Sequence, residues 1–85
     1  MKYRVSWKPK ASKQLSKLPK EIIPRLVIAV RTLEDSDQWH NVRALKNHQY
    51  SHRLRVGNYR VLFDADDVIC IVSIEEVKKR DDRTY

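Results

Sequence analysis

Three arginines interleave with aliphatic and aromatic residues in "YSHRLRVGNYRVLF", residues 50–63: Arg53, Arg55 and Arg60. From Gln38 to Phe63 the charged residues are Arg43, Lys46, Arg53, Arg55 and Arg60, and that span holds no acid. A second basic group follows in "VKKRDDRTY": Lys78, Lys79, Arg80 and Arg83, with Tyr85 after them. A guanidinium can meet two phosphate oxygens at once, so arginines suit a phosphodiester ligand. The chemistry they support is stabilisation of the extra negative charge that builds on phosphorus when a nucleophile adds. Arginine does not deprotonate in proteins, so it cannot also serve as the base. By residue type the proton acceptors are Tyr85, whose phenolate nearby cations would favour, then Lys79, His48 and His52. His52 alternates in step with Leu54 and Val56, which points to packing rather than chemistry.

Each of these signals has a plain alternative. A row of arginines can be the solvated face of a sheet, and a mixed-charge tail can be a frayed terminus. Two features weigh against the first. Arginine rather than lysine fills all three strand positions, and like charges on adjacent strands repel unless an anion resolves them. An acidic protein segment would satisfy the same charge as a nucleic acid.

Composition narrows the rest. The chain has 85 residues, with 18 Lys plus Arg against 11 Asp plus Glu, a net charge of +7. That length predicts a single domain over 1–85 with a modest core, and that charge favours a polyanionic partner. Cys70 is the one cysteine, so no intrachain disulfide can form; this fits a reducing cytoplasm. Within "VICIV" it reads as a small buried hydrophobe. His40, His48 and His52 lack metal-ligand spacing, and no glycine-rich phosphate loop is present, so neither a metal nor another cofactor is expected. The start "MKYRVSWKPK" has no apolar stretch of signal-peptide type, and no segment reaches membrane-spanning length.

The elements that must position the arginines follow from periodicity. Residues 2–7 alternate, with Tyr3, Val5 and Trp7 on one face, as in a half-buried strand. Pro9 suits a helix start, and Ala11, Leu15 and Leu18 recur at helical spacing until Pro19. A second helix over roughly 20–34 carries an apolar stripe from Ile22 to Leu33. The short break between them predicts a helical hairpin. Residues 35–50 are irregular, with Trp39, Val42 and Leu45 as anchors to the core. From Ser51 the period is two, "VGN" turns at Gly57, and the return strand runs 58–64. "DVICIVS", residues 67–73, reads as a buried and therefore central strand. The prediction is an α+β fold of order β-α-α-β-β-β, a helical hairpin packed on a mainly antiparallel four-stranded sheet.

The stretch "RALKNHQYSHRLRVGNYRVLF", an apolar strand, and "VKKRDDRTY" together resemble the RelE/ParE superfamily of bacterial toxins across essentially the whole chain. The RelE-like branch implies a ribosome-dependent endoribonuclease. Such enzymes cut mRNA in the A site of the 70S ribosome through attack of the ribose 2′-OH on the adjacent phosphate. The resemblance also implies a cognate antitoxin, contact with operator DNA only through that antitoxin, and no membrane partner. Within it, Arg60 matches the hairpin arginine at the scissile phosphate, Arg53 a basic strand position, Arg80 the tail arginine and Tyr85 the terminal tyrosine. These four form the implied catalytic set. Arg55 matches a further basic position, and with Lys46, Lys79 and Arg83 it is expected to hold RNA phosphates. The sequence departs from the pattern at Ser51, where a second lysine is usual, and at Lys78, where a glycine is usual. Its tail is one residue shorter between Arg80 and Tyr85. The fold also accommodates two other outcomes: a ParE-like inhibitor of DNA gyrase, and a catalytically inactive binding domain.

Overall fold

A computed structural model describes residues 1–80. The chain runs β1 (Arg4–Trp7), α1 (Pro9–Ser16), α2 (Ile23–Arg31), β2 (Val42–Ala44), β3 (His52–Val56), β4 (Tyr59–Asp66) and β5 (Ile71–Lys79). Two short 3-10 turns, Thr32–Glu34 and Ser36–Gln38, follow α2. The strands form one sheet in the order β1-β5-β4-β3-β2, with β1 parallel to β5 and the other pairs antiparallel. The fold is the expected α+β arrangement of two helices on a mainly antiparallel sheet, but the sheet has five strands rather than four. The added strand is β2, three residues that pair with β3 through Val42↔Leu54, Arg43↔Arg53 and Ala44↔His52. A run that short carries too little alternation to be read as a strand.

The core lies between the helices and one face of the sheet. Leu26 and Val30 of α2 and Leu33 after it pack with Leu54, Val61, Phe63, Val72 and Ile74. Trp39 seals one end: its indole N–H donates to the Leu33 carbonyl at 3.0 Å, and its ring stacks on Tyr3. His52 stacks on Phe63 with centroids 5.3 Å apart and meets the Trp39 ring edge-on. Burial lowers its pKa, with Asp67 and Asp64 opposing. It is a packed residue, as its alternation with Leu54 and Val56 predicts.

The last strand differs from its sequence reading. "DVICIVS" is not one strand: residues 67–70 form the turn into β5, which then runs on through Lys79. The Asp66 carboxylate accepts from the backbone N–H groups of Val68 and Ile69 at 2.9 and 3.2 Å, which holds the turn. Val68 and Ile69 are left exposed, and Cys70 takes φ +55° at the turn's end rather than a buried strand position. β5 is nevertheless central, between β1 and β4. Beyond the end of β1, α1 covers its edge, and the Gln14 side-chain oxygen accepts from the Val77 N–H at 2.8 Å.

Candidate phosphate-binding site

Strand pairing converts the sequence spacing of the arginines into a cluster. Directly paired residues share a sheet face. Across the face turned away from Leu54 and Val61, one row reads Arg43, Arg53, Leu62, Glu76. The next row, towards the β3–β4 turn, reads Arg55, Arg60, Lys78. Gly57 makes that turn possible with φ +56°, a conformation that costs a residue with a Cβ. Arg80 joins the cluster because its N–H donates to the Asn58 carbonyl at 2.6 Å, which ties the segment after β5 to the turn. On the other side, the Arg55 N–H donates to the Asn41 carbonyl at 3.0 Å, which fixes β2 and so Arg43 beside β3.

The result is an open cleft of about 210 Å³ lined by Arg43, Arg53, Arg55, Gly57, Tyr59, Arg60 and Arg80. Five of these seven are arginines and none is acidic. The buried Nε of Arg80 has no hydrogen-bond partner among the described residues. A buried donor of that kind is costly unless something accepts from it. Three acids away from the cleft have partners of their own. Asp35 takes the Lys2 ammonium at 2.8 Å, Asp64 takes the Ser51 N–H at 2.8 Å, and Asp67 takes the Tyr3 hydroxyl at 2.5 Å.

Glu76 is the one buried charged residue among those described. Burial pushes its carboxyl up, but the Tyr50 hydroxyl, Lys10 and Lys78 outweigh this and hold it below the usual carboxylate range. The Lys10 and Lys78 ammonium groups lie 3.3 and 3.7 Å from its carboxylate. The hydrogen bond to Glu76 in turn pushes the Tyr50 phenol up to about 12. Leu62, paired with Glu76, is buried beside them.

Of the residues singled out in the sequence, the structure brings Arg53, Arg55, Arg60 and Arg80 together. Lys46 and Lys79 do not line the cleft. Lys79 pairs with Tyr59, one register step from the Arg60–Lys78 row and so on the alternate face. Arg83 and Tyr85 lie outside the described residues. His48 accepts the Tyr50 N–H at 3.0 Å and His52 is packed, so neither histidine reaches the cleft. Ser51, at the expected second lysine, is structural: its hydroxyl accepts from the Ala65 N–H at 3.0 Å. Three lining residues, Arg43, Gly57 and Tyr59, had no site role in the sequence reading, Gly57 being read there as the turn. The acid-free run that includes Arg43 was the available signal for it, and Tyr59 reads there only as a core position. Among the described residues, no three His, Cys, Asp or Glu side chains gather as metal ligands. No helix is long and apolar enough to cross a membrane.

No known protein family matches the sequence, and neither does any curated protein. Solved structures do match. The toxin–antitoxin complex RelBE from Mycobacterium tuberculosis contains a chain that is 26% identical, with a TM-score of 0.79, over 94% of this chain and 100% of that one. The RelE–RelB complex of Pyrococcus horikoshii matches with 26% identity and a TM-score of 0.80, over 96% of this chain and 99% of that one. The isolated RelE toxin of E. coli, at 21% identity and a TM-score of 0.72, shares the fold over 93% of this chain and 85% of its own. With TM-scores near 0.8 and near-complete coverage in both directions, the chain has a RelE-like fold and is similar to the RelE toxins of these toxin–antitoxin complexes.

Proposed function

We propose that this protein is a type II toxin that cleaves mRNA in the ribosomal A site. The observation that carries the reading is the convergence of five arginines, with no acid among the described lining residues, in one cleft of a RelE-like fold. Arg60 and Arg80, with Arg53 beside them, clamp the scissile phosphate and stabilise the charge that develops as the ribose 2′-OH adds to phosphorus. Arg43 and Arg55 hold flanking phosphates. The base is not an arginine, and the resemblance assigns that role to Tyr85.

A cleft rich in clamps and poor in bases makes a weak nuclease on free RNA. It suits a substrate aligned by a larger machine, because orientation alone can supply about 7–11 kcal/mol of the barrier. The same basic wall suits an acidic antitoxin segment. The Mycobacterium and Pyrococcus relatives were solved with antitoxins, which supports a cognate antitoxin as partner here. Operator DNA is then reached only through that antitoxin, and the site of action is the cytoplasm.

The test is mapping of mRNA 5′ ends after a short pulse of expression, beside Arg60→Ala and Arg80→Ala. Cuts in phase with codons, confined to translated regions and lost in both variants, are expected. Growth arrest with intact transcripts and an induced DNA-damage response would move the assignment to gyrase. Intact transcripts in healthy cells would leave an inactive binding domain.

A further inference from the structure

The positive charge of the chain is not spread along its length. Residues 1–20 hold 7 of the 18 Lys plus Arg and none of the 11 Asp plus Glu. The 11 cations that remain equal the 11 acids, so the whole net charge of +7 belongs to this first segment. Most of it falls on and beside α1. Ala11 and Leu15 turn that helix to the core. Lys10, Lys13 and Lys17 recur on its outer side and Lys8 and Lys20 flank it, all five exposed. Lys10 shares the Glu76 carboxylate with Lys78, their ammonium groups lying 3.3 and 3.7 Å from it, and Lys78 pairs directly with Arg60. The lysine face is therefore joined to the arginine cleft across β5. Among the described residues, Lys8, Lys13, Lys17 and Lys20 enter no ion pair. The arrangement works against the helix: Lys13 and Lys17, four residues apart, repel, and the first turn has cations near it and no acid to meet the helix dipole.

The two surfaces divide the cations by type. The cleft is lined by five arginines and no lysine, while residues 8–20 hold five lysines and no arginine. A guanidinium fork fixes the orientation of the phosphate it grips, whereas an ammonium on a flexible stem is a point charge that meets phosphates without orienting them. α1 holds no aromatic residue, and Trp7 before it packs against the core, so the face has no ring on which an unpaired base could stack. A protein partner fits poorly, because lysine is depleted in protein interfaces and their centres are apolar. An RNA duplex offers rows of phosphates with its bases paired away, which suits a face that reads charge alone. We propose that the lysine face of α1 docks on the sugar–phosphate backbone of double-helical RNA, of the kind a ribosome exposes, and holds the protein there while the arginine cleft acts on the message. The inference rests on the mRNA-cleavage reading and adds to it the surface that engages the larger machine.

The test is binding of a blunt-ended RNA duplex to the purified protein, followed by fluorescence anisotropy over a range of salt. Lys13→Gln/Lys17→Gln is compared with Arg60→Ala/Arg80→Ala. Each pair removes two positive charges, so a long-range field alone would weaken binding equally in both. Both lysines are exposed, so their replacement keeps the fold. The lysine pair should lose on the order of tenfold in affinity at about 0.1 M salt, and the slope of log affinity against log salt should fall by about two. The arginine pair should bind the duplex nearly as the parent does. Equal losses in the two pairs, or a larger loss in the arginine pair, overturns the docking face. Tighter binding of poly-glutamate than of the duplex overturns it as well, in favour of an acidic protein partner. The readout is binding and not cleavage, so failure here leaves the mRNA-cleavage reading standing. Intact transcripts in cells, with duplex binding as expected, would refute cleavage alone.

Discussion

Arg55 faces Arg60 directly across the β3–β4 pair, and Lys78 stands on the far side of Arg60. Directly opposed like charges on adjacent strands cost roughly 0.2–1 kcal/mol. The Lys78 ammonium lies 3.7 Å from the Glu76 carboxylate, so it is compensated and adds little to that repulsion. Arg55→Thr removes one charge from the row, keeps a residue suited to a strand, and alters only an exposed side chain. The variant should therefore be more stable than the parent. For a domain of this size, Tm moves by about 4–8 °C per kcal/mol, so the expected rise is about 1–8 °C.

The measurement is thermal unfolding followed by circular dichroism at about 10 mM ionic strength and again at about 1 M. The screening length falls from about 30 Å to about 3 Å between those conditions, so most of the difference between variant and parent should vanish at high salt. Inorganic phosphate should raise the Tm of the parent more than that of Arg55→Thr, because only the native state presents the complete clamp. A variant no more stable than the parent at low salt would refute the argument. The arginine row would then be an ordinary solvated face that carries no electrostatic strain for an anion to relieve.

Other consequences concern the supports of the site. Tyr50→Phe removes the hydroxyl that helps hold the Glu76 carboxylate and should lower the urea midpoint. Glu76 is held below its ordinary value of 4.5, so its contribution to stability is present above that pH and is lost as pH falls through the depressed folded value. Glu76→Gln should accordingly flatten the acid limb of a stability-against-pH curve. Gly57→Ala forces a Cβ into φ +56° and against Arg25, and should cost about 1–2 kcal/mol in the same denaturation assay.

Legibility in the sequence followed the length of each repeating pattern. The hairpin of β3 and β4 was readable because period-two alternation flanks the only glycine in the chain. The packing of His52 was readable for the same reason. β2 was not, since three residues give no period, and with it went the placement of Arg43. The start of β5 was misjudged because Val68 and Ile69 have strand-type side chains, while the turn is decided by the Asp66 carboxylate and the φ of Cys70. The union of Arg53, Arg55 and Arg60 followed from alternation, but the approach of Arg80 rests on a backbone hydrogen bond to Asn58 that no pattern announces. Tyr59 was hidden by its double role: buried with the core, it also lines the arginine cleft at the turn.

The location of the cleft follows from how the sheet covers its two faces. Both helices and nearly all of the apolar core occupy one face. The other has no helix, and the chain treats its two halves differently. Where Leu62 and Glu76 pair, the face is closed: both are buried, as is Tyr50, and the Tyr50 hydroxyl and two lysines compensate the one buried acid. Two residues nearer the turn, the row changes to Arg55, Arg60 and Lys78, and no acid among the described residues lines the cleft they border. A sheet built only for stability would spread its charges and alternate their sign. Here the arginines gather in one cleft at the hairpin end of that face, and the balanced cluster around Glu76 anchors the strands that carry them. Such a concentration of like charge in one cleft is expected where a binding role, and not stability alone, has set the residue types.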